Sequence, residues 1–409
     1  MSEWKRYKLN KIASLSNGIN FDKSAYASGI KLIGVSDFKD RIYPDYDSLQ
    51  EVDSKVVRTG DYLEKGDIVF VRSNGNKELV GRCMMVNRDT PVTFSGFCIK
   101  LRLNDKNKFE PVYFNYLFRT TQFRKSMTGT AVGANIQNLS QSRLGNCEVK
   151  VPNIETQHRI ASILSRYDSL IENYQKQIKL LEEAAQRLYK EWFVDLHFPG
   201  HENTKIIDGV PEGWEKKKLS DLFSFVRGKS YTSKELSDEG TIMVNLKNIQ
   251  AFGGYKSDVE KHFLGSFKEE QTLVKGDLVM GVTDMTQERR LVGSVALIPD
   301  FNETATFSMD LIKLVSHKLP NIYIYCAMRY GDISRQIAPL ANGVNVLHLK
   351  PESINNIEML VGSESIIDKF ARYTSKTIET ILSLQSQIRL LTEVRDRLLP
   401  KLMSGEIAV

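Results

Sequence analysis

The sequence predicts an α+β protein built from two β-rich globular regions and two long helices. Three observations lead to this prediction: a heptad pattern of apolar residues from Glu155 to Trp192, a second such pattern near the C-terminus, and an internal repeat with an offset of 210 residues. The chain has 409 residues, of which 41% are hydrophobic and 26% charged. This composition is ordinary for a protein of two or more domains.

The first long helix is predicted from apolar residues spaced alternately four and three positions apart. The stripe runs from Ile160 to Trp192, and neither Pro nor Gly interrupts it. About 38 helical residues at ~1.5 Å each form a rod of roughly 57 Å. A helix of this length is typical of a spacer or of a surface that binds a partner. The second stripe runs from Ile381 to Leu402 and carries Arg395 on its apolar seam.

An internal repeat relates the two halves of the chain. Trp4 and Trp214 are 210 residues apart, and so are the Lys-Gly-Asp tripeptides that begin at Lys65 and Lys275. Each repeat has short apolar runs of strand-like composition, separated by turn residues and followed by one long helix. The predicted strands are Lys31–Val35, Ile68–Arg72, Arg82–Val86 and Phe97–Leu103 in the first repeat, and Thr241–Val244, Leu278–Val282, Ser294–Ile298 and Asp310–Val315 in the second.

The repeat predicts five segments along the chain. They are a first globule (residues 1–153), a central long helix (154–197), a linker (198–210), a second globule (211–362) and a C-terminal long helix (363–409). Two apolar seams in one chain can satisfy each other by packing. We therefore expect the helices to pair in an antiparallel, coiled-coil-like manner and to separate two globules that are related by a pseudo-two-fold axis.

The charge of the chain is unevenly distributed. The total is +6, but residues 1–153 carry +8 and residues 211–362 carry −1. The first globule is therefore suited to a polyanion, whereas the second must use local clusters if it also binds nucleic acid. The N-terminus has no apolar leader, no stretch approaches 18 apolar residues, and the four cysteines have no metal-type spacing, so we expect a cytoplasmic protein without a membrane partner.

Four stretches of the chain resemble the DNA-specificity subunits of type I restriction-modification systems. They are Val151–Leu164, Trp192–Asp195, Val210–Glu215 and Leu399–Ile407. The resemblance implies that each globule is a target recognition domain, and that the long helices are the conserved regions that join these domains and bind methyltransferase subunits. One departure is visible, because the second copy enters its helix through Val361–Glu364 without the Pro-x-x-Glu-x-Gln pattern of the first, which leaves the start of that helix open.

The resemblance implies a non-catalytic subunit that recognises a bipartite asymmetric DNA sequence, with one half read by each domain. Its implied partners are double-stranded DNA, two modification subunits and, where present, two restriction subunits. No cofactor is expected on this chain, since S-adenosylmethionine, ATP and Mg would belong to the partner subunits. If the long helices set the distance between the two halves of the DNA sequence, adding one heptad to both helices lengthens each by ~10 Å. The spacer between the two halves should then grow by about three base pairs. An unchanged spacer in the genome-wide methylation motif of this variant would refute the hypothesis.

Two pairs of polar loops carry side chains that are suited to base and phosphate contacts. The first pair is residues 72–77 and 283–290, and the alternative for each is a solvated hairpin loop. The second pair is residues 129–139 and 342–349, whose glycines are equally compatible with a tight structural turn. The candidate DNA-binding residues are Arg72, Ser73, Asn74, Asn76, Lys77, Asn135, Gln137, Thr283, Asp284, Gln287, Arg289, Arg290, Asn345 and His348.

A candidate docking surface lies beside the apolar seams of the long helices. Apolar residues that flank a seam can bind a partner subunit, and the alternative is packing between the two helices themselves. The candidate docking residues are Leu170, Leu180, Tyr189, Phe193, Leu390 and Leu399.

Two other classes of function are alternatives, an autonomous enzyme and a coiled-coil scaffold that binds only protein. A methyltransferase needs a glycine-rich cofactor loop and an Asn/Asp-Pro-Pro-aromatic motif, and the sequence contains neither. His197 and His201 have the spacing of helical metal ligands, but Pro199 and Gly200 between them prevent a helix. Salt-dependent DNA binding with sequence preference would favour the specificity subunit over the scaffold.

Overall fold

The computed structural model describes residues 4–38, 41–74, 79–128, 138–257 and 261–409. The chain divides into two compact units. Unit 1 comprises Met1–Ser169 and Thr392–Val409, and unit 2 comprises Leu170–Leu391. Strands, short helices and two helices of 36 and 41 residues make up the fold, so the predicted mixture of strands and long helices is confirmed.

The elements are numbered in chain order. The first half of the chain contains β1 (Lys5–Lys8), α1 (Leu9–Ile12), β2 (Ala13–Asn17), β3 (Tyr26–Ile33), β4 (Gln50–Val52), β5 (Ile68–Val71), β6 (Cys83–Met85), β7 (Val92–Phe94), β8 (Cys98–Leu103), α2 (Pro111–Arg119), α3 (Thr121–Thr128), α4 (Gln141–Asn146), β9 (Glu148–Val151) and α5 (Ile154–Tyr189). The second half contains β10 (Ile206–Ile207), β11 (Val210–Pro211), β12 (Glu215–Lys218), α6 (Leu219–Leu222), β13 (Phe223–Arg227), β14 (Leu236–Ser237), β15 (Thr241–Val244), β16 (His262–Phe263), β17 (Leu278–Gly281), β18 (Thr283–Asp284), β19 (Val295–Leu297), β20 (Ala305–Phe307), β21 (Leu311–Ser316), α7 (Asn321–Tyr330), α8 (Ile333–Ile337), β22 (Leu347–His348), β23 (Glu358–Val361) and α9 (Glu364–Ser404).

Strand β5 lies inside the main sheet of unit 1, which has the antiparallel order β2-β8-β5-β6. Its side chains alternate between two cores, as the pleat of a strand requires. Ile68 and Phe70 belong to the cluster that contains residues of α2 and α5, and Val69 and Val71 belong to the cluster that contains residues of β3 and β7. Burial on both faces explains why the sequence of β5 is an unbroken apolar run.

The same pairing pattern recurs in unit 2. Its main sheet has the order β13-β21-β17-β19, and β15 pairs with β20 in parallel as β3 pairs with β7 in unit 1. The first strand of each globule pairs with its last, with Lys5 opposite Val151 and Glu215 opposite Val361. Both partners of the second pair lie 210 residues beyond those of the first, so the backbone pairing follows the repeat seen in the sequence.

The two long helices were predicted within a few residues of their observed ends. Helix α5 covers Ile154–Tyr189 and continues as one π-helical turn over Lys190–Val194. Helix α9 begins at Glu364, which the sequence had left open. In unit 1, Leu164 of α5 and Leu402 of α9 share the cluster that contains α2. Antiparallel pairing along the whole length of the helices stays a prediction.

The Lys-Gly-Asp tripeptides form the turns that lead into β5 and β17. Gly66 has a φ of +96°, which a residue with a side chain rarely adopts. The carboxylate of Asp67 is buried, accepts a hydrogen bond from the Glu64 backbone N–H at 2.7 Å and pairs with the Arg102 guanidinium at 2.7 Å. This ion pair fixes the first end of β5.

In each unit, the helical region that follows the main-sheet strands is divided into two short helices, α2 and α3 in unit 1 and α7 and α8 in unit 2. In unit 1, α2 ends at Thr120, whose hydroxyl accepts a hydrogen bond from the Phe123 backbone N–H at 3.2 Å in the first turn of α3. In unit 2, α7 ends at Gly331, and Asp332 has a φ of +65° before α8 begins. A capping hydroxyl and a left-handed residue both interrupt the regular helix.

Candidate nucleic-acid interface

The candidate DNA-binding residues of unit 1 follow the last residue of β5. Val71 ends this strand opposite Cys98 of β8. The backbone N–H groups of Arg72 and Ser73 then both donate to the carbonyl of Phe97, at 2.8 and 3.3 Å. Although β5 has ended, the chain stays hydrogen-bonded to the turn that precedes β8. The backbone of residues 72–73 is therefore held in place.

The last two residues of the second predicted loop of unit 1, Asn138 and Leu139, lie on the other side of this segment. Ser73 forms an antiparallel bridge with Asn138, and the Leu139 N–H donates to the Arg72 carbonyl at 2.7 Å. Three segments thus lie side by side, and we call them the strand-end edge of unit 1: residues 72–74, residue 97 and residues 138–139. Residues that the sequence proposed in two separate loops are therefore neighbours at the described end of each loop.

Unit 2 contains the same arrangement at the end of β17. The Val282 N–H donates to the Asp310 carbonyl at 2.9 Å, Thr283 pairs with His348, and the Leu349 N–H donates to the Val282 carbonyl at 2.8 Å. The strand-end edge of unit 2 is therefore residues 282–284, 309–310 and 347–349. The position of each segment corresponds to that in unit 1.

Asp284 holds the long loop of unit 2 in shape. One oxygen of its carboxylate accepts hydrogen bonds from the backbone N–H and the hydroxyl of Thr286, both at 2.8 Å, and the other accepts from the Leu291 N–H at 2.9 Å. The Gln287 amide donates to the Val344 carbonyl at 2.8 Å, which ties this loop to the loop before β22. The polar side chains of this loop thus organise the backbone that presents the arginines.

Replacing Asp284 with Ala is expected to open the loop between residues 284 and 291. The change leaves the backbone N–H groups of Thr286 and Leu291 without their acceptor, and hydrogen bonds to a charged group contribute about 1.5–3 kcal/mol each. We expect amide hydrogen exchange of residues 285–291 to accelerate at least about tenfold. The variant Asp284→Asn keeps one acceptor oxygen, so its exchange rates should lie between those of the unaltered protein and of Asp284→Ala. Equal exchange rates in all three proteins would contradict the role of Asp284 in holding the loop.

Two of the candidate DNA-binding residues are not available for contact. Asp284 is only 1% exposed, and Thr283 is also buried and donates its hydroxyl to the Asp310 carboxylate at 3.0 Å. The prediction that they read bases is therefore wrong, because they satisfy groups within the protein. The composition of a polar loop alone does not distinguish side chains that form hydrogen bonds within the protein from side chains that are exposed to solvent.

The accessible candidates are mostly basic or amide side chains. Arg72, Ser73, Asn74 and Arg289 are half-exposed, and Gln287, Arg290, Asn345 and His348 are exposed. Arg289 has a φ of +52°, an uncommon conformation for a residue with a side chain. Arg290 forms an ion pair with Glu288, which a phosphate group would have to replace. Asn76, Lys77, Asn135 and Gln137 lie outside the described residues.

The sequence did not single out two apolar residues at these edges. Phe97 is 63% exposed and Met309 is 54% exposed, and each lies in the turn that precedes a main-sheet strand, β8 or β21. The sequence pattern assigned Phe97 to the strand Phe97–Leu103, whereas the observed strand β8 begins at Cys98. A glycine directly before Phe97 was the available signal for a turn.

The charge of the two edges comes from their arginines and acids. Burial raises the pKa of the Cys98 thiol to about 12, so this neighbour of Phe97 is neutral. Burial and the Asp310 carboxylate raise the pKa of Tyr231, which is therefore also neutral at pH 7. Within the described ranges, no group of three or more His, Cys, Asp or Glu side chains is arranged to hold a metal ion.

The candidate docking residues fall into two groups. Leu170, Leu180 and Leu390 are exposed in unit 2, and Leu399 is half-buried in unit 1. Tyr189 and Phe193 are buried in the core of unit 2, so the prediction that they dock a partner is wrong. Their rings pack on Phe370 at 5.8 and 5.1 Å between centroids.

In the described part of the chain, no helix is long and apolar enough to cross a membrane.

Several known proteins are similar in sequence to this chain. A family model described as the type I restriction modification DNA specificity domain matches residues 1–183. The type I restriction enzyme MjaIX specificity subunit of Methanocaldococcus jannaschii is 29% identical, over 73% of this chain and 69% of that protein. The HindI specificity subunit of Haemophilus influenzae is 22% identical, over 100% of both chains.

A solved structure has the same fold. The S subunit of a type I restriction-modification system from M. genitalium has a TM-score of 0.62 and 19% identity, over 98% of this chain and 96% of that one. The matches together identify residues 1–183 as a type I restriction-modification DNA specificity domain. They confirm the resemblance of the chain to the specificity subunits of type I restriction-modification systems.

Proposed function

We propose that this specificity subunit recognises a bipartite asymmetric DNA sequence, one half at each strand-end edge. The observation that carries the proposal is the recurrence of one backbone arrangement with different side chains. Arg72 in unit 1 corresponds to Val282 in unit 2, and Asn138 corresponds to His348. Because the side chains at equivalent positions decide which base edges are bound, two such edges read two different short sequences.

The charge distribution supports phosphate binding beside these edges. Residues 1–153 carry a net charge of +8, and Arg289 and Arg290 supply local positive charge in the otherwise neutral second globule. Phosphate contacts would position each domain, and the accessible polar side chains would then read the bases. We assign residues 1–153 and 211–362 as the target recognition domains, with residues 198–210 as the linker.

The long helices, residues 154–197 and 363–409, are proposed to join the recognition domains as an antiparallel pair and to bind two modification subunits. Leu170, Leu180 and Leu390 support this role, because exposed leucines on long helices are unfavourable in water unless a partner covers them. Leu399 extends the proposed surface in unit 1. On this proposal the chain itself is non-catalytic, S-adenosylmethionine binds the modification subunits, and ATP and Mg bind the restriction subunits where these are present.

Co-expression of the chain with its modification subunit tests the proposal. Methylated adenines mapped across a host genome by single-molecule sequencing should define two short tracts separated by a spacer of fixed length. The modification subunit expressed alone is the control and should give no motif. A continuous motif would contradict the bipartite proposal. If the complex leaves the genome unmethylated, its binding to DNA is measured at several salt concentrations instead. Binding without sequence preference at every salt concentration would contradict the proposal that the chain recognises a DNA sequence.

A further inference from the structure

One turn in each strand-end edge has a backbone that the two units share. In unit 1 the turn is residues 95–98, where the Cys98 N–H donates to the Ser95 carbonyl at 2.9 Å. In unit 2 it is residues 308–311, where the Leu311 N–H donates to the Ser308 carbonyl at 3.0 Å. Each turn leads directly into a main-sheet strand beside the residues that follow β5 or β17.

Each turn exposes one large apolar side chain from a surrounding that is otherwise buried. Phe97 is 63% exposed, although Phe94 and Cys98 on either side have no exposed surface. In unit 2 the exposed residue is Met309, and its N–H donates to the Lys229 carbonyl at 2.9 Å. Because transfer of apolar surface out of water is favourable, each of these side chains, lying beside the candidate recognition residues, is suited to contact an apolar group of a partner.

The apolar residue is shifted by one position between the two turns. In unit 1 residue 96 is a glycine, so the large apolar side chain of the turn is that of the next residue, Phe97. In unit 2 Met309 occupies the place of Gly96, and the next residue, Asp310, accepts a hydrogen bond from the hydroxyl of Thr283. Phe97 and Met309 therefore extend from different positions of their turns.

We propose that Phe97 and Met309 are specificity-determining residues, and that each makes an apolar contact with the 5-methyl group of a thymine in one half of the recognised sequence. The inference rests on the proposed function, in which these edges face DNA. Phe97 is joined through its carbonyl to Arg72, and the methyl group of thymine is the apolar group that base pairs present in the major groove. Apolar side chains at this place thus select A·T pairs.

Synthetic duplexes that carry the recognised sequence test the contact. In each duplex one thymine is replaced by deoxyuridine, which lacks only the methyl group, and binding to the complex of this chain with its modification subunits is measured. We expect one replacement in each half-site to weaken binding about fourfold, as removal of one buried methyl group does. In Phe97→Ala the loss should vanish in one half-site only, and in Met309→Ala in the other only.

The controls separate base contact from structural damage. Phe97→Leu keeps an apolar side chain and should retain part of the methyl effect, whereas Val274→Ala removes an exposed apolar residue before the opposite end of β17 and should leave both half-sites unchanged. Both edge variants keep the backbone hydrogen bonds of their turns. A methyl effect that persists in both, or no sensitive thymine at all, would overturn the inference; absent sequence preference in the unaltered complex would instead overturn the proposed function.

Discussion

Replacing Phe193 with Ala lowers the free energy of unfolding of unit 2 by about 3–5 kcal/mol, the usual cost of removing a buried aromatic ring. Phe193 is 6% exposed. Its ring packs against Tyr323, Phe370 and Trp214, at 5.0, 5.1 and 5.5 Å between centroids. Removal of the ring leaves a cavity between rigid aromatic neighbours, which cannot collapse to fill it.

Urea denaturation followed by tryptophan fluorescence measures this loss, because Trp192 and Trp214 are both buried in unit 2. Leu180→Ala is the matched control, since Leu180 is 65% exposed on α5. This control should unfold within about 0.5 kcal/mol of the unaltered chain, while it co-purifies less well with the modification subunit. If Phe193→Ala kept its stability and lost co-purification instead, Phe193 would be a docking residue after all.

Replacing Asp168 with Ala destabilises unit 1 by about 2–4 kcal/mol, because the largely buried guanidinium of Arg395 loses one of its two carboxylate partners and keeps only Asp396. One carboxylate oxygen of Asp168 accepts a hydrogen bond from Arg395 at 2.6 Å, and the other accepts from the hydroxyl of Tyr116. Arg395 is on α9, Asp168 on α5 and Tyr116 on α2. One side chain thus connects three helices of unit 1.

Thermal unfolding followed by circular dichroism tests this prediction. Glu148→Ala is the control, since it breaks an exposed ion pair with Arg6 and should cost less than about 1 kcal/mol. The double variant Asp168→Leu with Arg395→Met should recover most of the stability, because an apolar pair needs no counter-ion. Equal melting of Asp168→Ala and Glu148→Ala would show that the ion pair contributes nothing beyond an exposed one.

The sequence predicted those parts of the fold that follow from a regular pattern of apolar residues along the chain. The heptad stripes of α5 and α9 and the apolar run of β5 depend on neighbours along the chain, so these three elements were found, although the start of α9 was left open. The parallel pairing of β3 with β7 joins residues about 60 positions apart, and no local pattern encodes it. Arg395, which interrupts the second apolar stripe, is explained only by the distant Asp168.

The candidate interface was predictable in part for the same reason. Polar residues directly after a strand indicated the loops at residues 72–77 and 283–290, and in the structure Ser73 pairs with Asn138 and Thr283 pairs with His348, each from the second predicted loop of its unit. Burial, however, depends on the complete fold. Sequence reasoning therefore offered the buried Asp284 as a DNA-contacting residue, and it assigned the exposed Phe97 to a strand although Phe97 lies in the turn before β8. Both assignments used only the residue types nearby along the chain, and these do not determine which side chains the folded protein covers.

In the strand-end edge of unit 1, main-chain groups fix the position of the segments, whereas the accessible side chains determine what the edge can bind. Main-chain groups make the hydrogen bonds that join Arg72 and Ser73 to Phe97 and Arg72 to Leu139, and the ion pair of the buried Asp67 with Arg102 holds the far end of β5. The side chains of residues 72 and 73 can therefore be exchanged without loss of these main-chain contacts. Such a framework is readily evolved: new specificities can arise by point substitution at a few accessible positions, while the scaffold that carries them is inherited unchanged.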